Sequence, residues 1–572
     1  MHAPTPWLSR FPRGLVAALL VGAVLRVWYL VDLLEQPFFG HLLVDARAYH
    51  ASAAAILAGQ GFFGGVFYRP PLYPLSLAGI WAVADRISLF GYHAFPSLSI
   101  VTIVAAQMLL GLACAVPVFL LARRWYGEAA GTVAALVTAA YPLRIYYEGE
   151  LLDVTLFSFL LLMAAWAVVA GLARRSTPLL ALAGTLLGAS ALVRPNVLAL
   201  LPLLLLGGWL LSRGSRSAPL RGVAAGTALL VLVIAPTTIH NWRAEGRFVP
   251  VAAYGGINFL LGNSPGATGE TPMPPGLRWE ETALAPIREG ITGRAAQDAW
   301  WWRQGKARIT AHWLGTAGLL AKKTALFWNA RESSNNKALP YFTAVSPVTA
   351  HYRWWFGILA AVSLATLALT RSNGGTAFLL CLLAGLTCSV IPFFVTARYR
   401  IPAVPFLAIL ASGGAVSLVR RLRAGGVRIR VAPAAWAALC CLVVLVPWFG
   451  TADTAVDADL QMAQVEMERG RPAEALARLR AVLARTPDDP DAHNIMGVAQ
   501  TALGDAAGAE ATYRAALALG EFSSVRFNLG VLRQRQGDTA GAVAEYRRTL
   551  GLNPLHPGAR NNLRLLGEEM ME

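Results

Sequence analysis

Eleven apolar runs joined by short hydrophilic segments constrain this chain more than any other feature. They are Gly14–Val31, Ile100–Ala122, Ala129–Tyr141, Val154–Leu172, Leu179–Val193, Val197–Leu211, Gly222–Ile239, Trp354–Leu369, Ala377–Val395, Ala403–Leu418 and Val431–Phe449. A helix needs roughly 20 apolar residues to cross the hydrocarbon core, where only helices and closed barrels satisfy their own backbone. The runs therefore predict an all-α, polytopic helical membrane domain. Only 14% of the 572 residues are charged, against about 25% in a soluble domain. Some runs fall short of a full span, Ala129–Tyr141 most of all. Leu72–Leu89 is apolar but interrupted by Pro74 and Asp85, and reads as an interfacial or re-entrant helix, with a twelfth span as the alternative. Arg26 interrupts the first run and no small-residue cleavage site follows cleanly, so a retained helix is expected rather than a signal peptide.

The net charge of +17 comes from arginines in the joints, which makes it a topology signal and not a nucleic-acid footprint. With the N-terminus cytoplasmic, the inner joints hold Arg10, Arg13, Arg123, Arg124, Arg174, Arg175, Arg213, Arg216, Arg221, Arg371, Arg420, Arg421, Arg423, Arg428 and Arg430, with Glu128 as their only acid. This orientation, expected in an inner or plasma membrane, leaves Asp45, Glu148–Asp153, His240–Arg353, Thr396–Ile401 and everything after Phe449 outside, in a periplasm or at the cell surface. The five cysteines all lie in apolar runs and form no disulfide framework or zinc spacing.

After Gly450 the composition turns polar and alanine-rich. Asp457–Pro490, Asp491–Ser524 and Val525–Gly558 align at a period of about 34 residues, the length of a tetratricopeptide repeat. Gly470, Gly504 and Gly537 mark the turn within each helix pair, Ala475, Ala509 and Ala542 the close approach, and Tyr513 and Tyr546 the packing aromatics. The reading is a membrane domain over 1–450, with outer loops 32–99 and 240–353, then an α-solenoid of three tetratricopeptide repeats over 451–572 closed by Ala559–Met570. Such an array binds a protein or peptide, or serves as a rigid spacer.

Candidate chemistry gathers on the outer face. Asp45 opens a stretch with Tyr49 and His50 on a helix expected to Leu57. Gly59, Gly61, Gly64 and Gly65 then turn the chain, and the stiff strip Tyr68, Arg69, Pro70, Pro71, Tyr73 and Pro74 follows. Glu148, Glu150 and Asp153 form a second acidic group, in which Glu148 and Glu150 are expected to bind a divalent cation (magnesium, manganese or calcium) or to orient an acceptor; the alternative is helix capping by Asp153 with solvated glutamates. No other cofactor is expected. Arg194, His240 with Asn241, and Arg398, Tyr399 and Arg400 end apolar runs at the same level. Arginines there suit a phosphate, which a guanidinium grips bidentately. Met273–Gly276 is a proline-rich loop, and Asp298–Trp328 reads as one or two amphipathic helices whose tryptophans and lysines suit membrane lipid headgroups.

Asp45 with Tyr49 and His50, the Tyr68–Pro74 strip, the Glu148–Glu150 acids and the Ala397–Pro402 string resemble, in that order, the GT-C glycosyltransferases. The nearest are the family 39-like enzymes, which include protein O-mannosyltransferases and the lipid A aminoarabinose transferase. The resemblance implies transfer of a sugar from a polyprenyl-phosphate carrier to an acceptor hydroxyl on the non-cytoplasmic face. The expected roles are Asp45 as general base, Arg69, Arg194, Arg398 and Arg400 on the donor phosphate, and Tyr49, His50, Tyr68, Tyr73, Glu148, Glu150, His240, Asn241 and Tyr399 around the substrates. Ala46 stands where the family often carries a second acid, a departure from the protein-acceptor pattern. Two rival readings remain: an envelope oligosaccharide polymerase or ligase, and a membrane scaffold or transporter presenting the repeats.

Overall fold

The computed structural model describes residues 12–60, 64–86, 96–212, 220–270, 276–367, 374–424, 431–446, 448 and 454–568. Gly61, Arg10, Arg213, Arg216, Arg371, Arg428, Arg430 and most of the Met273–Gly276 loop lie outside the described residues. The described residues form helices and no strands.

The apolar runs fold as helices of two lengths. Six are long and apolar enough to cross a membrane: Arg13–Leu34, Ile100–Tyr126, Val154–Arg174, Pro195–Ser212, Leu220–Glu245 and Ala397–Arg423. Glu128–Ala140, Thr177–Val193, Gly374–Val390 and Ala434–Leu445 are shorter, and the run at Trp354–Leu369 gives a helix only over Trp355–Ala365. The expected runs thus appear among the described residues as six long helices and several shorter ones, as the short runs of the sequence foreshadow. Neighbouring protein shelters Glu128–Ala140, Thr177–Val193 and Gly374–Val390 in large part, while Ala434–Leu445 keeps most of its surface exposed. Gly184 on Thr177–Val193 meets the backbone of Gly226 on Leu220–Glu245, a contact open only to glycine because any Cβ would overlap the facing carbonyl. Leu72–Arg86, at 15 residues, is too short to cross alone and packs against the Val44–Leu57 helix.

Helix directions place the charges at two ends. Val154–Arg174 begins beside Asp153 and ends, about 30 Å on at 1.5 Å per residue, at Arg174. Thr177–Val193 returns the chain to Arg194. Val404–Arg423 repeats the pattern from Arg400 to Arg420, Arg421 and Arg423. At the basic end, the Tyr126 hydroxyl and Thr376 Oγ1 are 2.9 Å apart and Gly375 packs on the Trp125 indole.

The long segment after His240 carries the helices Gly255–Gly262, Leu277–Arg288, Arg294–Ala311 and Trp313–Trp328, so Asp298–Trp328 spans two helices that break at His312. The tail folds as three helix pairs: Ala455–Glu468 with Pro472–Arg485, Pro490–Ala502 with Ala506–Ala518, and Ser523–Arg535 with Thr539–Leu552, capped by Pro557–Leu565. Gly470, Gly504 and Gly537 take φ of +71°, +82° and +81°, the left-handed turn conformation for which glycine is suited. Among the described residues the array touches the membrane domain through its first helix and at the Leu277–Arg288 helix. Ala458, Met462 and Val465 of its first helix join the main apolar core. Leu277 packs among Tyr513, Phe522 and Val525, while its N–H donates to Asp491 Oδ1 at 2.9 Å and Glu280 accepts from Ser523 and Ser524.

Candidate functional site

A cavity of about 750 Å³ opens at the end of the bundle where Asp153, Arg194 and Arg398 lie. One wall is charged and aromatic: Asp45, Tyr49, Tyr68, Arg69, Asp153, Arg194, Tyr254, Arg398 and Tyr399. The remainder is largely apolar, including Phe248, Pro250, Ile257, Leu261, Pro392 and Phe393. A site of this shape takes an amphiphile, with an anionic head against the arginines and a hydrocarbon part along the apolar wall.

Asp45 lies in the first turn of Val44–Leu57, and its side chain faces the cavity instead of capping the helix. Val44 before it takes φ of +49°, a conformation that costs a β-branched residue of order 1–3 kcal/mol. Contacts beyond the helix hold the turn. Arg69 Nη2 donates to Asp45 Oδ1 at 3.0 Å, and Arg398 Nη1 and Asn336 Nδ2 donate to Oδ2 at 2.7 and 3.0 Å. Burial alone would raise the Asp45 pKa, but the Arg398 and Arg69 guanidiniums outweigh it and hold the carboxyl at about 2. Asp45 is therefore ionised throughout the neutral range.

Arg398 spans two acids, since its Nη2 donates to Asp153 Oδ1 at 2.6 Å. Arg194 grips the same carboxylate bidentately, Nε to Oδ2 at 3.0 Å and Nη2 to Oδ1 at 2.7 Å, and lies over the Tyr399 ring at 5.3 Å. Burial opposes ionisation of Asp153, yet Arg194 and Arg398 hold its pKa well below the ordinary carboxylate range. Arg69 lies over the Tyr68 ring at 5.4 Å. Three guanidiniums and two carboxylates meet in this cluster, and Asp298 adds a third carboxylate elsewhere in the lining.

The structure gathers Asp45, Arg69, Arg194, Arg398, Tyr49, Tyr68 and Tyr399 and sets the other candidates apart. Arg400 points away from the cavity, ion-paired with Glu332 at 2.5 Å and bonded to the carbonyls of Leu326, Phe327, Asn329 and Arg331. Glu148 is 1% exposed and paired with Arg26 at 2.7 Å inside the bundle. Glu150 pairs with Lys337 at 2.8 Å, and a cationic partner on each acid works against their sharing a metal ion. Tyr73 donates to Gln107 Oε1 at 2.8 Å and His50 meets Trp81 edge-to-face. His240 Nε2 lies 2.9 Å from the Gly65 carbonyl, and Asn241 is sealed against Phe67, Val249 and Val251. The sequence reading missed Asp153 as a cavity group; its side chain caps nothing and faces the arginines. It also missed Asn336, Tyr254 and Asp298. Asp298 lines the cavity and accepts the Gly256 N–H at 2.7 Å, but it belongs to no motif.

Residues 77–240 match the family described as dolichyl-phosphate-mannose-protein mannosyltransferase, and residues 460–524 match the tetratricopeptide repeat. No curated protein matches the sequence. Among solved structures, the chain is similar to the archaeal oligosaccharyltransferase AglB from Archaeoglobus fulgidus, solved with an inhibitory peptide and a dolichol-phosphate. The identity is 14%, over 79% of this chain and 58% of that one, with a TM-score of 0.42. It is also similar to ArnT from Cupriavidus metallidurans bound to undecaprenyl phosphate, at 16% identity over 96% of this chain and 87% of that one, with a TM-score of 0.40. The family match bears out the resemblance seen in the sequence and includes Asp153 and Arg194; Asp45, Arg69 and Arg398 fall outside the matched segment.

Proposed function

We propose that this multi-pass membrane protein transfers a sugar from a polyprenyl-phosphate donor to an acceptor hydroxyl, with Asp45 as the base. One observation carries the reading: Asp45 lies between Arg69 and Arg398 in a charged cluster that lines a cavity with a largely apolar remainder. The lipid part of the donor lies along Phe248, Ile257, Leu261 and Phe393. Its phosphate meets Arg398, Arg69 and Arg194, which stabilise the charge that grows on the leaving group.

The same contacts regulate the base. A carboxylate held at a pKa of about 2 is a weak proton acceptor. An arriving phosphate competes for Arg69 and Arg398, relieves Asp45 of part of their charge and raises its basicity as substrate binds. Asp45 then takes the acceptor's hydroxyl proton while that oxygen attacks the anomeric carbon. The carbon–oxygen bond to phosphate breaks, its electron pair leaves with the phosphate, and the configuration inverts. No second carboxylate needs to act as an acid, because phosphate leaves readily as an anion.

The cavity groups come from segments that the arginine pattern assigns outside, so transfer takes place on the non-cytoplasmic face, with the repeats on that side. The test uses protein reconstituted in proteoliposomes with a polyprenyl-phosphate mannose and envelope extract as acceptor, beside a deletion strain whose envelope glycans are weighed by mass spectrometry. The wild type transfers a hexose, or the deletion strain loses a glycosylated species that the Asp45→Asn gene fails to restore. Full restoration by Asp45→Asn would sink the reading.

A further inference from the structure

The repeat array docks against a loop that borders the cavity, a closer engagement than an appended binding module requires. Its first helix, Ala455–Glu468, has two working faces. Val456, Leu460, Ala463 and Met467 turn into the array and pack with Ala475 and Leu479. Ala458, Gln461, Met462, Val465 and Glu468, spaced i, i+3, i+4, i+7 and i+10, turn towards the membrane domain. Ala458, Met462 and Val465 are buried there, and Glu468 pairs with His41 and with Arg47 of the Asp45 helix.

Gln461 uses both ends of its amide on one loop. Its Nε2 donates to the Asn336 carbonyl at 2.9 Å, and its Oε1 accepts the Ala338 N–H at 3.2 Å. The two bonds bracket Lys337, whose Nζ is held by Glu150 at 2.8 Å. The far end of the loop is tied where the Ala397 N–H donates to the Ser333 carbonyl at 3.0 Å. From this loop Asn336 Nδ2 donates to Asp45 Oδ2 at 3.0 Å. We infer that Gln461 is a positioning residue for the transfer reaction: the first repeat clamps the 333–338 loop so that Asn336 holds Asp45 in register with the cavity. The inference rests on the reading of Asp45 as the base.

The physical reason is leverage. A hydrogen bond of 3.0 Å is lost when its donor moves by about 1 Å, and misplacement on that scale costs up to about 10²-fold in rate. The loop has no regular secondary structure from Ser333 to Ala338, so side chains on its neighbours fix its position.

The test is a double-mutant cycle in the full-length protein. Gln461→Met keeps the volume and loses both bonds; Asn336→Ala removes the donor to Asp45. Transfer is measured in native membranes, which contain their own donor and acceptor. Hydrogen exchange of the Asn336–Ala338 amides is followed in purified protein, with melting temperature as the fold control. Each single variant is expected to slow transfer about tenfold with its melting temperature kept, and the pair to be no slower than Asn336→Ala alone. The Ala338 amide should lose protection in Gln461→Met. Full activity in Gln461→Met, unchanged exchange at Ala338, or multiplying losses in the double variant would each overturn the inference. A fully active Asp45→Asn would instead remove the assigned base, while the exchange result would still report on the clamp.

Discussion

Arg398 and Arg400 are two residues apart and do opposite work. Arg398 joins Asp45 and Asp153 at the cavity wall, where Asp45 keeps 24% of its side-chain surface exposed. Arg400 and Glu332 keep 1% and 2%, and Arg400 is bonded to four backbone carbonyls as well. Both are acid–arginine clusters with short contacts. The difference is access. A sealed pair is held by its neighbours and fixes the Trp313–Trp328 helix end to Ala397–Arg400. An open cluster can exchange one of its partners for an incoming anion. Burial and partner counts alone would rank the sealed pair as the more important; chemistry belongs to the one that a substrate reaches.

That contrast can be broken in four ways. The largest effect is expected from Asp45→Asn, which should cut transfer by about 10²–10⁴-fold with little change in melting temperature, read in reconstituted protein. Arg400→Ala should do the reverse. Leaving Glu332 buried without its partner costs about 3–5 kcal/mol, read as a lower melting temperature and yield, with the rate per folded molecule preserved. Arg398→Lys keeps the charge but cannot span two carboxylates, and should slow transfer about 10²-fold. The smallest effect sharpens the comparison in a third acid away from the cavity. Burial, foremost, raises Asp491 from 3.8 to about 6 where it accepts the Leu277 N–H. The docked state holds this proton more tightly than the undocked one, so docking is firmest below about pH 4 and weakens as pH rises through 6. Melting of the protein should shift to lower temperature from pH 5 to pH 7, and Asp491→Asn should flatten that trend.

Much of this arrangement was legible in the residues. Spans, repeats and the helix-pair glycines follow from periodicity and length, and Asp45, Arg69 and Arg398 were marked by acid and base standing at span ends. What failed did so for reasons of direction. Glu148, Glu150 and Asp153 share one short stretch, but Glu148 ends a helix facing Arg26 while Asp153 begins another facing Arg194. The turn between them sets those directions, and nothing in the composition of the stretch reveals it. Arg398 and Arg400 share one helical turn, where residues two apart point about 200° from each other. Only one of them can then meet the cavity, and the sequence does not say which. Asn336 was invisible because it stands in an ordinary polar loop and gains its role from partners distant in the chain.

The double-faced helix at Ala455–Glu468 moves the practical seam of this protein. Composition changes near Gly450, and a chimera would naturally be cut there. A graft at that seam takes away the contacts that Gln461 and Glu468 make with the membrane domain. Cutting at Gly470, in the turn after that helix, leaves those contacts in place and lets a foreign solenoid be stacked on its other side. The interchangeable part of the molecule begins one helix later than its change of composition.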